Sequence, residues 1–135
     1  MKKILFICKW NRFRSKVAEA YFKKTNKNKK ITADSAGIFK GYPVVKNVLN
    51  IGKKLGINIK QGTRGLKEAD RKEFDLFVIV ADDIPKSLFN AAKKVILWKI
   101  PDTSQDNQKR IGIIMKQIFR KVDKLNKDLK AGKLK

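Results

Sequence analysis

The chain has 135 residues, 42% of them apolar, which suits one domain spanning residues 1–135 with a single core. Lys and Arg number 34 against 12 Asp and Glu, and the resulting formal charge of +22 attracts polyanions and phosphorylated partners without specifying any chemistry. One cysteine and no histidine exclude an internal disulfide and a soft-ligand metal site, so neither a zinc enzyme nor any other metal or cofactor is expected.

The opening "MKKILFIC" looks like a secretory signal, but its apolar run of about six residues is too short and no small-residue cleavage site follows. It reads instead as a first strand over residues 3–8, a continuous apolar run suited to burial on both faces of a parallel sheet. In "SKVAEAYFKK" the period changes to helical, with Val17, Ala18, Tyr21 and Phe22 on one face and Ser15 placed to cap the start. A lysine-rich loop, "KKTNKNKK", leads to a second strand over residues 31–35 that ends at Gly37. The second helix is "VVKNVLNIGKKLG", where Val44, Val45, Val48, Leu49 and Leu55 form one stripe and Gly56 is the stop.

A short helix is predicted from about Leu66, then a strand over residues 75–81, a helical turn over 87–94 and a strand over 95–99. The final helix is the most periodic, with Ile114, Ile118, Val122, Leu125 and Leu129 at steps of four, four, three and four. From Lys109 onward ten Lys or Arg face only Asp123 and Asp128, and they fall on the opposite side of that helix. Alternating strands and helices predict an α/β fold, a three-layer α/β/α sandwich around a four-stranded parallel sheet. No segment approaches the roughly 18 to 20 apolar residues of a membrane span, so a cytoplasmic protein with a reduced thiol is expected.

The segment "CKWNRFRS" carries the chemistry. In an open α/β sheet the ligand site lies beyond the carboxyl ends of the strands, and Cys8 stands where the first strand enters its loop. Free N–H groups at the start of the following helix and the helix dipole suit a phosphate oxyanion there. Arg14 supplies a planar fork for two oxygens. The same field favours a thiolate, so Cys8 becomes a nucleophile without a histidine base.

With Cys8, five intervening residues, Arg14 and Ser15, the stretch "ILFICKWNRFRSKVAEAYF" resembles the phosphate-binding loop of the low-molecular-weight protein tyrosine phosphatase family. "DSAG", "GINI" followed by Arg64, "FDLFVIVADD" and "WKIPDTSQD" extend the resemblance, in order, over nearly the whole chain. The resemblance implies a phosphomonoester hydrolase, a protein tyrosine phosphatase in particular, in which Cys8 attacks phosphorus and forms a phosphocysteine. Arg14 and the amides of Lys9, Trp10, Asn11, Arg12 and Phe13 would hold the equatorial oxygens. Ser15 would donate to the Cys8 sulfur, and Asn11 would shape the loop from a left-handed conformation through bonds to Ser15 and Ser35. Asp102 would be general acid and then general base.

The sequence departs from that pattern at several points. Trp10 stands where the family has glycine, and a left-handed backbone there would be strained. Lys16 replaces a proline, and Arg12 adds a cation whose other reading is a side chain in water, as for Lys9. Thr103 and Ser104 replace the aromatic residues associated with tyrosine-phosphate selection, so Trp10, Phe39 and Tyr42 are the candidates for an aromatic wall. The related arsenate reductases use further cysteines that this chain lacks, and Phe13 stands where many family phosphatases carry a second, protective cysteine. Oxidation of Cys8 is therefore expected to be reversible by thiols only at the sulfenic stage. The substrate is a phosphorylated protein or a small phosphomonoester, with a possible anionic partner on the basic surface. The competing reading is a non-catalytic phosphate or polyanion binder on the same scaffold. Nucleic acid has no supporting motif.

Overall fold

The computed structural model describes residues 3–89 and 94–133. In chain order the elements are β1 (Lys3–Cys8), α1 (Arg14–Thr25), β2 (Thr32–Gly37), α2 (Lys46–Lys54), α3 (Asp70–Glu73), β3 (Leu76–Val80), a 3-10 turn (Lys86–Phe89), β4 (Val95–Trp98) and α4 (Gln108–Lys130). The predicted turn over 87–94 corresponds in part to the 3-10 turn, and its residues 90–93 lie outside the described residues. The short helix predicted from Leu66 begins later, at Asp70, because residues 64–66 pair with the end of β2 instead. Gly37 and Gly65 form a bridge there, and the Leu66 N–H donates to the Gly37 carbonyl at 2.7 Å.

The four strands are parallel in the order β2-β1-β3-β4. β1 and β3 are central, which explains their unbroken apolar runs, and Ile4 to Ile7 and Leu76 to Val80 are wholly buried. Their side chains alternate. Ile4, Phe6, Leu76, Val78 and Val80 face α1, α2 and α4, whereas Leu5, Ile7, Phe77 and Ile79 pack with Phe74, Ile84 and Phe89 on the other side. Each such side chain contributes about 1.5 to 3 kcal/mol on burial, so these two strands anchor the fold.

The stripe predicted for α4 is the buried one, with Ile111 and Met115 added and Leu129 half-buried at the end. Asn107 caps that helix through its side chain, which accepts from the Arg110 N–H at 3.1 Å. α2 ends as the sequence implies, with Gly56 at φ +86° just beyond it. Among the described residues no helix is long and apolar enough to cross a membrane.

The topology fixes the place of a ligand. The chain runs from β1 to one side, into β2, and then returns across β1 to β3 on the other side. The loops after β1 and β3 therefore part at the carboxyl edge and leave a crevice between them. Cys8 ends β1, Asp82 and Asp83 follow β3, and Pro101 and Asp102 follow β4, all at this edge.

Candidate active site

The loop from Cys8 to Phe13 is shaped by β2 and the residues after it. The N–H groups of Ile38, Phe39 and Gly41 donate to the carbonyls of Cys8, Lys9 and Trp10 at 3.0, 3.0 and 3.1 Å. Those carbonyls are thereby drawn to one side. Among the described residues, no backbone carbonyl accepts from the N–H groups of Trp10 through Phe13, and a row of unpaired amides of this kind is an anion cradle. The approach is close enough to require glycine at Gly37, where a Cβ would sit 2.7 Å from the Asn11 nitrogen.

Ser15 is not the helix cap that the sequence suggests. α1 starts at Arg14, its cap position is Phe13, and no side chain caps it. Ser15 Oγ lies instead 3.0 Å from Cys8 Sγ. The left-handed residue is Asn11, at φ +56°, and among the described residues it is the one non-glycine with positive φ. Trp10 is therefore free of the strain that the glycine comparison raises.

Hydrogen-bond directions around Asn11 follow from its neighbours. The Arg64 N–H can only donate, and it reaches Asn11 Oδ1 at 2.9 Å. The amide is thereby oriented, and Nδ2 donates to Ser15 Oγ at 2.9 Å and to Ser35 Oγ at 3.0 Å. Ser35 gives its own hydrogen to Glu19 Oε1, while Lys23 holds Glu19 Oε2 at 2.6 Å. Since Ser15 Oγ already accepts from Asn11, its hydrogen is free for the sulfur.

Arg14 is 2% exposed. Its Nη1 donates to the Ile100 carbonyl at 2.9 Å and its Nη2 to Asp83 Oδ1 at 3.2 Å. Asp82 and Asp102 stand 3.5 and 3.8 Å from the guanidinium. The Thr103 N–H donates to Asp102 Oδ1 at 2.9 Å, which leaves Oδ2 towards Arg14. Cys8, Arg14 and Asp102 line one cavity of about 40 Å³ together with Trp10, Arg12, Phe13 and Gln105. A single water needs roughly 10 to 15 Å³ on this measure, so the space suits one small tetrahedral anion.

The remaining predicted residues lie around this cavity. Lys9 turns aside, its ammonium 5.6 Å over the Trp10 ring. Asn11, Ser15 and Ser35 lie beneath the loop, buried. Lys16 also folds under it and donates to the Gly62 carbonyl at 2.6 Å. Burial pushes its ammonium pKa down, opposed by Glu19 and Asp34. Of the aromatic candidates, Trp10 lines the cavity, Phe39 packs on it with ring centres 5.2 Å apart, and Tyr42 stands further out. Asp82, Asp83 and Gln105 were not among the predicted site residues. Two acids directly after a buried strand at the carboxyl edge were the available signal for the first two.

Arg64 is held in turn by Asp70, with contacts of 2.9 and 3.2 Å, and by Asp34 at 3.3 Å. Burial alone would raise the Asp70 carboxyl pKa, but Arg64 and the Lys67 N–H outweigh it and hold it below its ordinary 3.8. A depressed carboxyl contributes stability above its unfolded value and loses it as pH falls through the folded one. Asp70→Asn is expected to cost about 2 kcal/mol near pH 7, because it leaves Arg64 partly uncompensated, and less near pH 3, below the ordinary carboxyl value. Urea denaturation at both values checks this, and an equal cost at both would contradict it.

Residues 3–133 match the model of the family described as low molecular weight phosphotyrosine protein phosphatase. An arsenate reductase from Archaeoglobus fulgidus is 28% identical, with a TM-score of 0.77 over 91% of this chain and 98% of its own. A low molecular weight protein tyrosine phosphatase from T. tengcongensis is 25% identical, with a TM-score of 0.83 over 95% and 99%. The YwlE arginine phosphatase from Geobacillus stearothermophilus shares the fold at 19% identity, with a TM-score of 0.85 over 99% and 96%. No curated protein sequence matches at a significant level.

Proposed function

The chain belongs to the low molecular weight phosphotyrosine protein phosphatase family, and from that premise we propose that it is a cytoplasmic protein tyrosine phosphatase working through a phosphocysteine. The observation that carries this reading is the 3.0 Å contact between Cys8 and Ser15 inside the small cavity that Arg14 and Asp102 also line. Cys8 attacks phosphorus as a thiolate while the ester P–O bond breaks, and the Asp102 carboxylic acid gives its proton to the departing oxygen. Arg14 and the loop amides hold the equatorial oxygens through both steps. Asp102, now a carboxylate, takes a proton from water as that water attacks phosphorus. The S–P bond breaks, the sulfur leaves as a thiolate that accepts the Ser15 hydrogen, and inorganic phosphate is released.

Arsenate reductases are among the similar structures, so arsenate is the second reading. Its reduction needs two electrons, and a chain with one cysteine has no internal thiol to close a disulfide. Any arsenate activity would therefore depend on an added thiol at every turnover.

Hydrolysis of p-nitrophenyl phosphate, inhibited by vanadate, tests the reading. Asp102→Asn is expected to lower kcat on the order of 10² to 10³ on an unactivated phosphomonoester and less on p-nitrophenyl phosphate, whose leaving group needs little protonation. Wild-type inactivity would overturn the reading in favour of a polyanion binder. Equal turnover of phosphotyrosine, phosphoserine and phosphoarginine would remove tyrosine as the substrate.

A further inference from the structure

Beside the catalytic cavity lies a groove of about 640 Å³ lined by Trp10, Arg12, Lys40, Gly41 and Tyr42. Trp10 and Arg12 border both spaces, so the groove and the cavity share a wall. The lining has two cations and no acid. Its rings are open to solvent, Trp10 by 42% and Tyr42 by 80%.

Arg12 is unlike the other arginines of the site. Arg14 and Arg64 are each held by carboxylates, whereas Arg12 has no carboxylate partner among the described residues, and its Nε is buried with no hydrogen-bond partner. Its position is nonetheless built. A Cβ on Gly41 would meet the Arg12 Cγ and Cδ at 2.7 Å, so the stem lies against bare backbone, and the guanidinium sits 6.0 Å from the Tyr42 ring centre. A buried donor left unmatched by the protein is costly unless a ligand supplies the acceptor.

We infer that this groove is a docking site for an acidic protein segment, in which a carboxylate flanking the phosphorylated residue pairs with Arg12 and Lys40. The inference rests on the phosphatase reading above. Charge complementarity chooses the occupant. Asp82 and Asp83 are committed to Arg14 and do not line the groove, so its two cations are left for an acidic segment. Trp10 and Tyr42 flank the path of the chain and cover its apolar parts.

The test uses binding of two phosphotyrosine peptides, one with flanking Asp residues and one with Ala in their place, to Cys8→Ser protein by fluorescence anisotropy. The acidic peptide is expected to bind about tenfold more tightly. Lys40→Glu should remove most of that preference, whereas Lys127→Glu, an equal charge change on exposed α4, should leave it within about twofold. Equal binding of the two peptides, or equal weakening by both reversals, overturns the inference, because only the overall +22 field would then be at work. Failure of the wild type to hydrolyse p-nitrophenyl phosphate with the peptide preference intact would sink the catalytic reading and leave the docking site standing.

Discussion

Cys8→Ser is expected to remove hydrolysis of p-nitrophenyl phosphate, with kcat falling on the order of 10⁵ or more. The physical reason is the absence of a base. A serine hydroxyl needs a neighbouring group to take its proton before it can attack, and the chain has no histidine. The nearest side-chain partner, Ser15, is oriented as a donor by Asn11. Sulfur needs no such help, because a thiol gives up its proton far more readily than a hydroxyl and its anion attacks directly. Folding should be little affected. Oxygen is smaller than sulfur, the position closes a strand already paired on both sides by β2 and β3, and Ser15 remains available to the new hydroxyl. Unchanged circular dichroism and denaturation midpoint together with lost turnover would locate the effect in the chemistry. Activity within tenfold of wild type would remove Cys8 as the nucleophile.

Arg14→Lys is expected to lower kcat/KM on the order of 10³. The substitution keeps the charge and removes the fork. Arg14 now spans two directions, with Nη1 on the Ile100 carbonyl and Nη2 on Asp83, and an ammonium, compact and without parallel N–H groups, cannot reproduce that spread together with a bidentate grip on phosphate. Alanine would be a poorer test. It would leave Asp82, Asp83 and Asp102 gathered without a cation, so lost stability would be mixed with lost catalysis. The discriminating measurements are kcat/KM, the inhibition constant of vanadate and the urea midpoint of the lysine variant. A loss confined to stability would show that the arginine serves the fold alone.

Much of this arrangement was legible from the order of residue types. The apolar runs of β1 and β3, the four-residue steps in α4 and the strand-loop-helix passage through Cys8 each depend on local pattern, which sequence displays directly. Contacts made across the chain were hidden. Local pattern alone reads Ser15 as the cap of α1, whereas the family resemblance supplies its turn to sulfur, and the structure ties that turn to an Arg64 N–H that orients Asn11 from 53 residues away. Asp82 and Asp83 were hidden for the same reason, since their tie to Arg14 exists only once β3 lies beside β1. The conformation of Trp10 was likewise set from outside, by the strap of residues 38–41 that draws the loop carbonyls aside.

Glu19, in the second turn of α1, lies at the far end of the series that runs through Ser35, Asn11 and Ser15 to Cys8. A carboxylate can take hydrogens and give none, so Ser35 gives its hydrogen to Glu19 and takes one from Asn11, whose other amide hydrogen goes to Ser15 and turns that hydroxyl towards the sulfur. An uncharged isostere at that end could keep its oxygen on Ser35 only by turning its NH2 towards the Lys23 ammonium. The proposed nucleophile and the buried anion are thus joined through the two hydrogens of a single amide, a link carried by orientation without any change in shape.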